Sequence, residues 1–428
     1  MKILELAAYA YYKDHKGFEK NTSGFAYAVS DICESLAMCG NEVYLLTQSG
    51  ITNGFQCNNT VIIKKRWIDI ILHLRLRDFV YGIIAAHGLS GTFVEKLKTI
   101  YYYVNRGYTE KIISLINPDI IQIQSIGDYT VPFMMAASKS GIPFIVSNHG
   151  LATFLSEVEP RLKKMEGYFF KAATKNHTIV TTVSSGIKRR IVNHYNIKGD
   201  NIIVVPNGVI PAANDIDEKK TNGLRKKLNI KQADFVFICV GSISNRKNQL
   251  QVARAFRLLI NKIENIKLLF AGDGPQVDEL NDYVQNHGLA DKVVLLGNIE
   301  HSMMSYYYSI SNCTIVASVD EGFGLPVIEG YSYGVPSVIY SDLDAIEDIS
   351  FADSTVVVNK RDDECLAEGM EQSVIFDWNK EAIKKRALKF TNIKMGEKYQ
   401  NALIIGMKQK SSMALDDVKA LMKGKGVN

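Results

Sequence analysis

The sequence predicts an α/β protein of two domains, each built on an open, mostly parallel sheet. Three observations lead to this prediction. The chain has 428 residues, which is more than one compact core usually holds. Short apolar runs alternate with helix-length amphipathic segments, which is the pattern of successive β–α–β units. The alternation occurs twice, and a polar stretch after Pro206 separates the two series.

The strands are predicted from short runs rich in aliphatic and β-branched residues. In the first series these runs are KILEL, EVYLLT, IIQIQS, PFIVSNH, IVTTVS and NIIVVP. In the second series they are FVFICVG, KLLFAGDG, KVVLLGN, CTIVAS, PSVIYS and STVVVN. Segments between the runs, such as 24–39 and 131–140, carry apolar residues at helical spacing. We therefore place the domains at residues 1–205 and 206–389, with helices from about 390 to 428 packing back on the first domain.

The composition excludes several classes of protein. Hydrophobic residues make up 46% and charged residues 22%, without a low-complexity tract, so both halves should fold. The 50 Lys and Arg residues nearly balance the 45 Asp and Glu residues, and no nucleic-acid partner is expected. Six scattered cysteines without a CxxC pair are typical of reduced, structural thiols. The N-terminal apolar run is too short for a signal peptide, and no run suits a membrane helix, so we expect a cytoplasmic protein.

Basic residues are concentrated in one part of the first half. Residues 61–111 contain nine basic and four acidic residues. Within them, KKRWIDIILHLRLRDFVYGIIAAHG joins cations to Trp67, Phe79, Tyr81 and many aliphatic residues. This combination suits a helix that lies in an anionic membrane interface. An ordinary amphipathic element packed on the first domain fits the same pattern, and the sequence leaves both interpretations open.

Two glutamates follow a predicted strand of the second domain. The segment SVDEGFGLPVIEGYSYGVPSV comes after CTIVAS and places Glu321 before a Gly-Pro loop and Glu329 on the next helix. Binding crevices of open α/β sheets lie at the carboxyl ends of the strands. Loop amides beside a helix N-terminus suit a diphosphate, and carboxylates accept hydrogen bonds from sugar hydroxyls. Taken alone, Glu321 is more typical of a solvated loop acid, and Glu329 of an acid in the first turn of a helix. Together with the Gly-Pro loop, the pair favours a binding site.

Two more turns and one histidine also follow predicted strands. Arg246 and Lys247 in VGSISNRKNQ can neutralise a pyrophosphate, although basic pairs are also common on protein surfaces. The segment AGDGP, which contains Gly272, is typical of a tight turn, since the chain has neither GxGxxG nor GxxxxGK. In the first half, His149 directly follows PFIVS, and Gly24 opens the first long helix. A lone histidine is more often structural, so only its position at a strand end makes it a candidate.

Together these motifs resemble the retaining glycosyltransferases of the GT-B fold, in particular the group 1 (family four) enzymes of bacterial polysaccharide and lipopolysaccharide synthesis. The resemblance rests on PNGV, VGSISNRKN, AGDGP and YYYSISNCTIVASVDEGFGLPVIEGYSYGVPSV, with an E-x7-E spacing between Glu321 and Glu329. It is specific from Pro206 to about Ile349 and holds only in outline in the first half. The resemblance implies two Rossmann-like domains whose parallel sheets face each other across a cleft.

The resemblance also implies a role for each candidate residue. Glu329 would hold the donor ribose, and Glu321 would contact the transferred sugar. Arg246 and Lys247 would grip the diphosphate during catalysis, and His149 would lie near the sugar. The remaining donor-binding positions that it implies are Gly24, Gly241, Gly272, Phe323, Gly324 and Leu325.

The implied reaction is the retaining transfer of a hexose-type sugar from a nucleotide sugar, with UDP favoured and GDP as the alternative. The acceptor would be a saccharide or lipid-linked saccharide of a capsule or lipopolysaccharide, which would bring the enzyme to the inner face of the membrane. The leaving diphosphate would take the acceptor proton, so no enzymic nucleophile is required. Arg246 and Lys247 would neutralise the diphosphate in place of a divalent ion, so no metal ion and no cofactor are expected. Two alternatives stay open: a nucleotide-sugar epimerase, which would convert donor without acceptor, and a catalytically silent scaffold subunit.

Overall fold

The computed structural model describes residues 1–13, 15, 17–19, 23–48, 52–155, 158–212 and 216–422. The chain divides into two compact units. One comprises Met1–Gly208 together with the chain from Asn392 onward, and the other comprises Val209–Thr391. The domain boundaries predicted from the sequence, after residues 205 and 389, lie close to these two crossings.

The described residues form one sheet in each unit. The strands of the first unit are β1 (Lys2–Ala7), β2 (Glu42–Thr47), β3 (Phe55–Cys57), β4 (Thr60–Ile62), β5 (Ile120–Gln124), β6 (Phe144–Asn148), β7 (Val180–Thr182) and β8 (Ile202–Val204). The strands of the second unit are β9 (Phe235–Val240), β10 (Ile266–Ala271), β11 (Val293–Leu295), β12 (Cys313–Val316), β13 (Ser337–Tyr340) and β14 (Thr355–Val358). The orders are β3-β4-β2-β1-β5-β6-β7-β8 and β11-β10-β9-β12-β13-β14. Neighbouring strands are parallel except in the β3–β4 hairpin.

Helices form most of the connections, because parallel neighbours cannot be joined by a tight turn. The helices of the first half are α1 (Gly24–Met38), α2 (Trp67–Ile71), α3 (Leu76–His87), α4 (Phe93–Val104), α5 (Arg106–Ile116), α6 (Val131–Ser140), α7 (Pro160–Lys175) and α8 (Ser185–Tyr195). The later helices are α9 (Glu218–Lys227), α10 (Gln249–Leu259), α11 (Val277–Asn286), α12 (Met304–Ile310), α13 (Leu325–Ser332), α14 (Ile346–Ile349), α15 (Asp363–Ile375), α16 (Lys380–Ala387), α17 (Asn392–Lys408) and α18 (Leu415–Met422).

The predicted α/β class is confirmed, and each predicted apolar run overlaps one strand. The β3–β4 hairpin was not predicted; its turn contains Asn58 with φ of 50°. The prediction of a single helix within the basic segment 61–111 is wrong, because residues 72–75 separate α2 from α3. At this break α5 comes so close that a β-carbon on Gly107 would overlap the carbonyl oxygen of His73.

The first sheet is covered by residues from the far end of the sequence. Helix α17 packs against α1, and a β-carbon on Gly396 would overlap the carbonyl oxygen of Ser35. Tyr399 and Leu403 on α17 are buried in the same apolar core as the strands. Beyond α17, the Ser411 hydroxyl donates to the carbonyl of β6 at residue 144, at 2.6 Å. The core of the first unit is therefore complete only when α17 is in place.

In the second unit every neighbouring pair of strands is parallel, so the carboxyl ends of the strands share one edge of the sheet. The core beneath this edge is formed by buried aliphatic and aromatic side chains, among them Phe237, Phe256 and Phe270. The loops that leave the edge contain Lys247 after β9 and Glu321 after β12. The fold thus places Lys247 and Glu321 on the loops that follow two neighbouring strands.

Candidate active site

Helix α13 begins at a glycine-capped turn between the two predicted glutamates. Its N-cap is Gly324, with φ of 88°, a left-handed conformation that glycine adopts without strain. Leu325 and Pro326 form the first turn, where proline is favoured because no hydrogen-bond acceptor awaits its missing amide hydrogen. The Val327 amide donates to the carbonyl of Gly324 at 2.9 Å, whereas the Leu325 amide has no acceptor within the helix and favours an anion. Glu321 precedes this N-terminus and Glu329 lies in the second turn.

Glu321 forms an ion pair with Lys247 from the loop after β9. Both side chains are only 14% exposed. The Ser318 hydroxyl donates to the same carboxylate oxygen at 3.2 Å. Burial raises the pKa of Glu321, but the Lys247 and Arg246 cations outweigh this effect and hold the pKa below its ordinary value. Glu321 is therefore ionised at neutral pH.

Arg246 joins the loops after β9 and β12 beside this ion pair. Its Nη1 donates to the carbonyl of Asp320 at 3.1 Å. In return, the amide of Val319 donates to the carbonyl of Arg246 at 2.8 Å. Arg246 is exposed, whereas Lys247 is largely buried, so the two adjacent cations occupy different surroundings. The structure thus brings three of the predicted site residues, Arg246, Lys247 and Glu321, together.

Two glycine turns pack on each other next to Lys247. Gly241 follows β9 with φ of 133°, and Gly272 follows β10 with φ of 149°. A β-carbon on Gly272 would overlap the carbonyl oxygen of Gly241. A β-carbon on Gly241 would lie 3.4 Å from Cε of Lys247. The AGDGP segment therefore shapes the backbone beside Lys247, in addition to turning the chain as the sequence indicated.

Phe323 contributes to the site through its position in the loop before α13, while its side chain is buried. It is 3% exposed and packs on Phe390 with ring centroids 5.8 Å apart. The side chain thereby anchors the loop to the rest of the second unit. Its predicted contact with a donor would be made by the backbone amide.

Gln249 forms hydrogen bonds with the loop that contains Lys247, and it was not predicted as a site residue. Its Nε2 donates to the carbonyls of Gly241 at 3.3 Å and Ser242 at 3.1 Å. Its Oε1 accepts from the amide of Ser244 at 3.2 Å. Gln249 is 1% exposed. The signal available in the sequence was a glutamine at a core-facing position of an amphipathic helix, since a buried amide needs partners.

Arg361 holds the end of β12 and was also not predicted. Its guanidinium donates to the carbonyls of Ala317 at 3.2 Å and Ser318 at 2.8 Å. It forms a two-bond pair with Asp342, at 2.7 Å for each bond, and lies 4.3 Å from the ring centroid of Tyr340. Arg361 thus fixes the strand end from which the Glu321 loop departs. Because Arg361 lies 43 residues after Ser318, no local sequence pattern could predict this contact.

Glu329 is held by a buried tyrosine. The hydroxyl of Tyr308 donates to Glu329 Oε2 at 2.6 Å. Tyr308 is 1% exposed and stacks on Tyr333, with ring centroids 5.7 Å apart and planes 7° from parallel. Burial and, next, the nearby Glu329 raise the pKa of Tyr308 well above its ordinary value, so its hydroxyl remains a donor. Glu329 lies beyond the first turn of α13, so the helix dipole does not account for it.

The first unit holds the other two predicted residues at the carboxyl edge of its own sheet. His149 follows β6, and Gly24 is the first residue of α1. Phe25, next to Gly24, packs edge-on against the His149 ring with centroids 5.2 Å apart. The Nε2 atom of His149 lies 2.8 Å from Oε1 of Gln124. Burial lowers the pKa of His149 to about 4, so the ring is neutral at neutral pH.

The described residues contain neither a cluster of metal-binding side chains nor a membrane-spanning helix. Within the described ranges, no three or more His, Cys, Asp and Glu side chains are grouped to hold a metal ion. In that same part of the chain, no helix combines the length and apolarity needed to cross a bilayer. Arg246 and Lys247 are the cations that act on Glu321 in the loop before α13.

Comparison with known proteins identifies relatives of both halves. A family model described as glycosyl transferases group 1 matches residues 220–389, and one described as glycosyltransferase family 4 matches residues 22–212. An uncharacterized glycosyltransferase of Methanocaldococcus jannaschii is 28% identical over 202 residues, 46% of this chain and 51% of that protein. The alpha-monoglucosyldiacylglycerol synthase of Streptococcus pneumoniae is 30% identical over 161 residues, 37% of this chain and 36% of that protein. The synthase of the same name from Acholeplasma laidlawii is 22% identical over 333 residues, 75% and 77% of the two chains.

Solved glycosyltransferase structures share the fold. A glycosyltransferase from Rickettsia africae has a TM-score of 0.70 at 17% identity, covering 95% of this chain and 98% of its own. Anabaena HepE, solved in complex with UDP, has a TM-score of 0.66 at 15% identity, covering 95% and 100%. The chain spans about half the length of the first relative and about a third of the second. The two family models together match most of the chain, and it belongs to the group 1 (family four) glycosyltransferases of the GT-B fold.

Proposed function

We propose that this chain transfers a hexose-type sugar, with retention of configuration, from a nucleotide sugar to a saccharide or lipid-linked saccharide in cell-surface polysaccharide synthesis. One observation carries the proposal. The loops after β9 and β12 bring Lys247, Arg246 and the ionised Glu321 together at the strand ends that precede α13. Two cations, a buried carboxylate and helix amides suit a ligand that is both anionic and rich in hydroxyl groups.

In the proposed reaction the diphosphate of the donor is the leaving group. Lys247 and Arg246 stabilise the negative charge that develops as the bond between sugar and diphosphate breaks. The acceptor hydroxyl forms the new bond on the same face of the sugar and gives its proton to the departing diphosphate, so no side chain acts as nucleophile. Glu321 orients hydroxyls of the sugar, and Glu329 holds the ribose. The two cations balance the diphosphate, and no metal ion is part of the proposal.

The favoured nucleotide is UDP, with GDP as the alternative. HepE, which shares the fold, was solved with UDP. In this chain, Glu329 is the group proposed to bind the two ribose hydroxyls that UDP and GDP have in common. Tyr308 fixes one of its carboxylate oxygens, which leaves the carboxylate oriented before a ligand arrives. Such pre-orientation lowers the entropic cost of binding.

Calorimetry with UDP and GDP tests the donor site. We expect UDP to bind the full chain, and Glu329→Gln to weaken this binding about tenfold to a hundredfold, because a hydrogen bond to a charged group contributes about 1.5–3 kcal/mol. Glu371→Gln is the matched control: Glu371 lies in the same unit and pairs with Lys262 at 2.6 Å. It should bind UDP like the wild type. Failure of every nucleotide and nucleotide sugar to bind the wild type, or an unchanged Kd in Glu329→Gln, would contradict the proposal.

A lipid-linked acceptor is proposed because the first unit presents a large apolar surface on α2, α3 and α4 and the turns that join them, which we name the interface patch. Every apolar side chain in the patch is at least 41% exposed. They are Trp67, Ile68, Ile71, Leu72, Leu74, Leu76, Phe79, Val80, Ile83, Ile84, Phe93, Val94 and Leu97. Apolar residues scattered singly on a surface are ordinary, but such a concentration within thirty or so residues marks an interaction surface.

Helices α3 and α4 form the larger part of the interface patch as a tight pair. They cross at Gly82, where a β-carbon would lie only 2.9 Å from the Cα of Ile100. The crossing buries one face of each helix and leaves the apolar side chains of the patch outside. This arrangement favours a surface that lies on a membrane over an amphipathic element whose whole apolar face is packed on its own domain.

The charge of the interface patch also favours an anionic bilayer. Lys64 and Lys98 are exposed beside the apolar residues, and Arg66 is also exposed but pairs with Asp69 at 2.9 Å. Two cations of the basic segment 61–111 do not add to the charge of this surface, because their side chains are buried. Lys65 donates to backbone carbonyls at the end of β2, and Arg106 pairs with a buried aspartate. The exposed cations that remain suit the headgroups of acidic lipids.

Vesicle flotation tests the interface patch. We expect the full chain to float with vesicles containing acidic phospholipid, and much less with zwitterionic vesicles. The double variant Leu72→Glu, Leu76→Glu should stay at the bottom of the gradient, because it places two charges where apolar side chains would enter the lipid. Ile375→Glu is the matched control, since Ile375 is 75% exposed in the second unit and Leu76 is 77% exposed. The membrane proposal would be wrong if the wild type floats with neither kind of vesicle. If the wild type also dimerises and the double variant does not, the interface patch is a protein interface instead.

A further inference from the structure

A row of polar side chains is buried in the middle of the first sheet. Each is at most 1% exposed, and the row consists of Glu5 on β1, Gln122 and Gln124 on β5, Ser147 on β6 and Thr181 on β7. Burying polar groups in a sheet core costs stability unless they have partners. Gln122 donates to the Ser147 hydroxyl at 2.7 Å, and Thr181 donates to the same oxygen at 2.8 Å. Those bonds stay within the core, whereas the contacts of Gln124 lead to the candidate site.

Gln124 joins Glu5 to His149. Its Nε2 donates to Oε2 of Glu5 at 2.7 Å, and its Oε1 lies 2.8 Å from Nε2 of His149. An amide oxygen only accepts hydrogen bonds, so Nε2 of His149 must carry the ring hydrogen. Since burial lowers the pKa of His149 to about 4, the ring has a single hydrogen, and Nδ1 is left as an acceptor.

Glu5 determines which end of the Gln124 amide faces His149. By shape alone the amide fits either way round, and a reversed amide would donate to Nε2 of His149 and move the ring hydrogen to Nδ1. The Glu5 carboxyl prevents this, because its Oε2 accepts from the NH2 end. Burial raises the pKa of Glu5 to about 8, against the opposing effect of the Gln124 bond. Among the described residues Oε1 has no hydrogen-bond partner. The carboxyl fixes the amide when it is ionised, above about pH 8, because a protonated Oε2 could donate to a reversed amide oxygen, as a glutamine amide could.

We propose that Glu5 and Gln124 are positioning residues that hold His149 in its Nε2–H form and present Nδ1 as an acceptor to a hydroxyl of the transferred sugar. The role of the sugar hydroxyl rests on the proposed function, whereas the tautomer is a property of the chain itself. Phe25 limits the ring plane by its edge-on contact. Glu5 and Gln124 are 119 residues apart, and their strands are neighbours in the sheet.

Nitrogen NMR of the free chain tests the tautomer. In a sample labelled with ¹⁵N-histidine and held above pH 8, so that Glu5 is ionised, we expect His149 to show a protonated Nε2 and an unprotonated Nδ1, with its signals identified by their loss in His149→Asn. Glu5→Gln keeps the shape of the side chain but adds a donor, so the two amides can pair in either sense. The His149 signals should then move toward a mixture of both tautomers. Gln124→Leu should move them as well, because it removes the acceptor.

The matched control is Gln122→Leu, the same change at a buried glutamine of the same strand that does not contact His149. It should keep the wild-type His149 signals even if it lowers the melting temperature as much as Gln124→Leu does. Wild-type signals in both Glu5→Gln and Gln124→Leu would overturn the proposal, as would the same change of signals in Gln122→Leu. If Gln124→Leu does not fold, Glu5→Gln still decides the result, because it conserves volume and shape.

Kinetics connect the tautomer to sugar transfer. Above pH 8, where Glu5 is ionised, we expect kcat of Glu5→Gln to be about tenfold below that of the wild type, with the Kd for UDP within about twofold, because only the sugar contact is misaligned. A shifted tautomer with unchanged kcat would overturn the role assigned to Nδ1. The NMR experiment needs no donor, so a wild type without transferase activity would contradict the proposed function and leave the tautomer result intact.

Discussion

Lys247→Met should lower kcat/KM for sugar transfer about a hundredfold to a thousandfold, because it removes one of two cations beside the proposed leaving group. It should also destabilise the second unit. The Glu321 carboxylate, 14% exposed, would lose the cation that keeps its pKa low. Breaking a buried ion pair by removing one partner costs about 3–5 kcal/mol, because the remaining charge is left uncompensated. Initial rates at saturating acceptor and thermal melts of the full chain measure the two effects.

The double variant Lys247→Met, Glu321→Gln separates these effects. Because no uncompensated carboxylate remains, the melting temperature should return most of the way to that of the wild type. Activity should not return, because the cation is still missing. Recovery of both would show that Lys247 serves only to neutralise Glu321, and the catalytic role would be wrong.

Gly272→Ala should lower the melting temperature of the full chain by at least about 4 °C and weaken UDP binding. Alanine at φ of 149° is strained, and its β-carbon would overlap the carbonyl oxygen of Gly241. Together these costs should exceed about 2 kcal/mol, and each kcal/mol shifts the melting temperature of a unit of this size by about 2–4 °C. Donor binding should suffer because a shift of Gly241 would disturb the turn beside Lys247, whose Cε lies 3.4 Å from the place of a β-carbon on Gly241.

Gly223→Ala is the control for this variant. Gly223 lies in α9 of the same unit, and a β-carbon there has no neighbour within 4 Å. Alanine is favoured over glycine in helices by up to about 1 kcal/mol, so the melting temperature should stay the same or rise. UDP binding should not change. A Gly272→Ala variant that melts and binds like Gly223→Ala would show that the two glycine turns can separate without consequence.

Most of the fold could be predicted because its strands are buried on both faces. Such strands are rich in apolar residues on both faces, and β9 is an unbroken apolar run. The strands β1, β5, β6 and β12 are equally buried but include polar residues, such as Gln122 and Gln124 in β5. The strands β3 and β4 at the edge of the first sheet were not predicted. Gln56 and its neighbours are partly exposed and do not form an apolar run. The break between α2 and α3 also has no local signal. It depends on the approach of Gly107 to His73, which are distant in sequence.

The candidate site could be predicted only where its residues lie in one loop. Glu321 and Glu329 flank a recognisable turn, and Arg246 and Lys247 are adjacent in the sequence. The side chains that hold these groups in place come from other elements, and no local pattern contains them. Arg361 reaches back 43 residues to the carbonyl of Ser318, and Gln124 meets a glutamate 119 residues away. Sheet topology, which brings distant strands side by side, determines these pairs.

The dependence of the first unit on α17 has a consequence for the order of events during synthesis. Residues 1–208 emerge from the ribosome long before α17 is made. Until then, water reaches the apolar surface of the first sheet and of α1 that Tyr399 and Leu403 later cover. The second unit is continuous in sequence and can fold as soon as it emerges. The half of the protein that is made first therefore finishes folding last. A nascent chain that stalls before Asn392 would expose apolar surface to chaperones, even though its second unit was already complete.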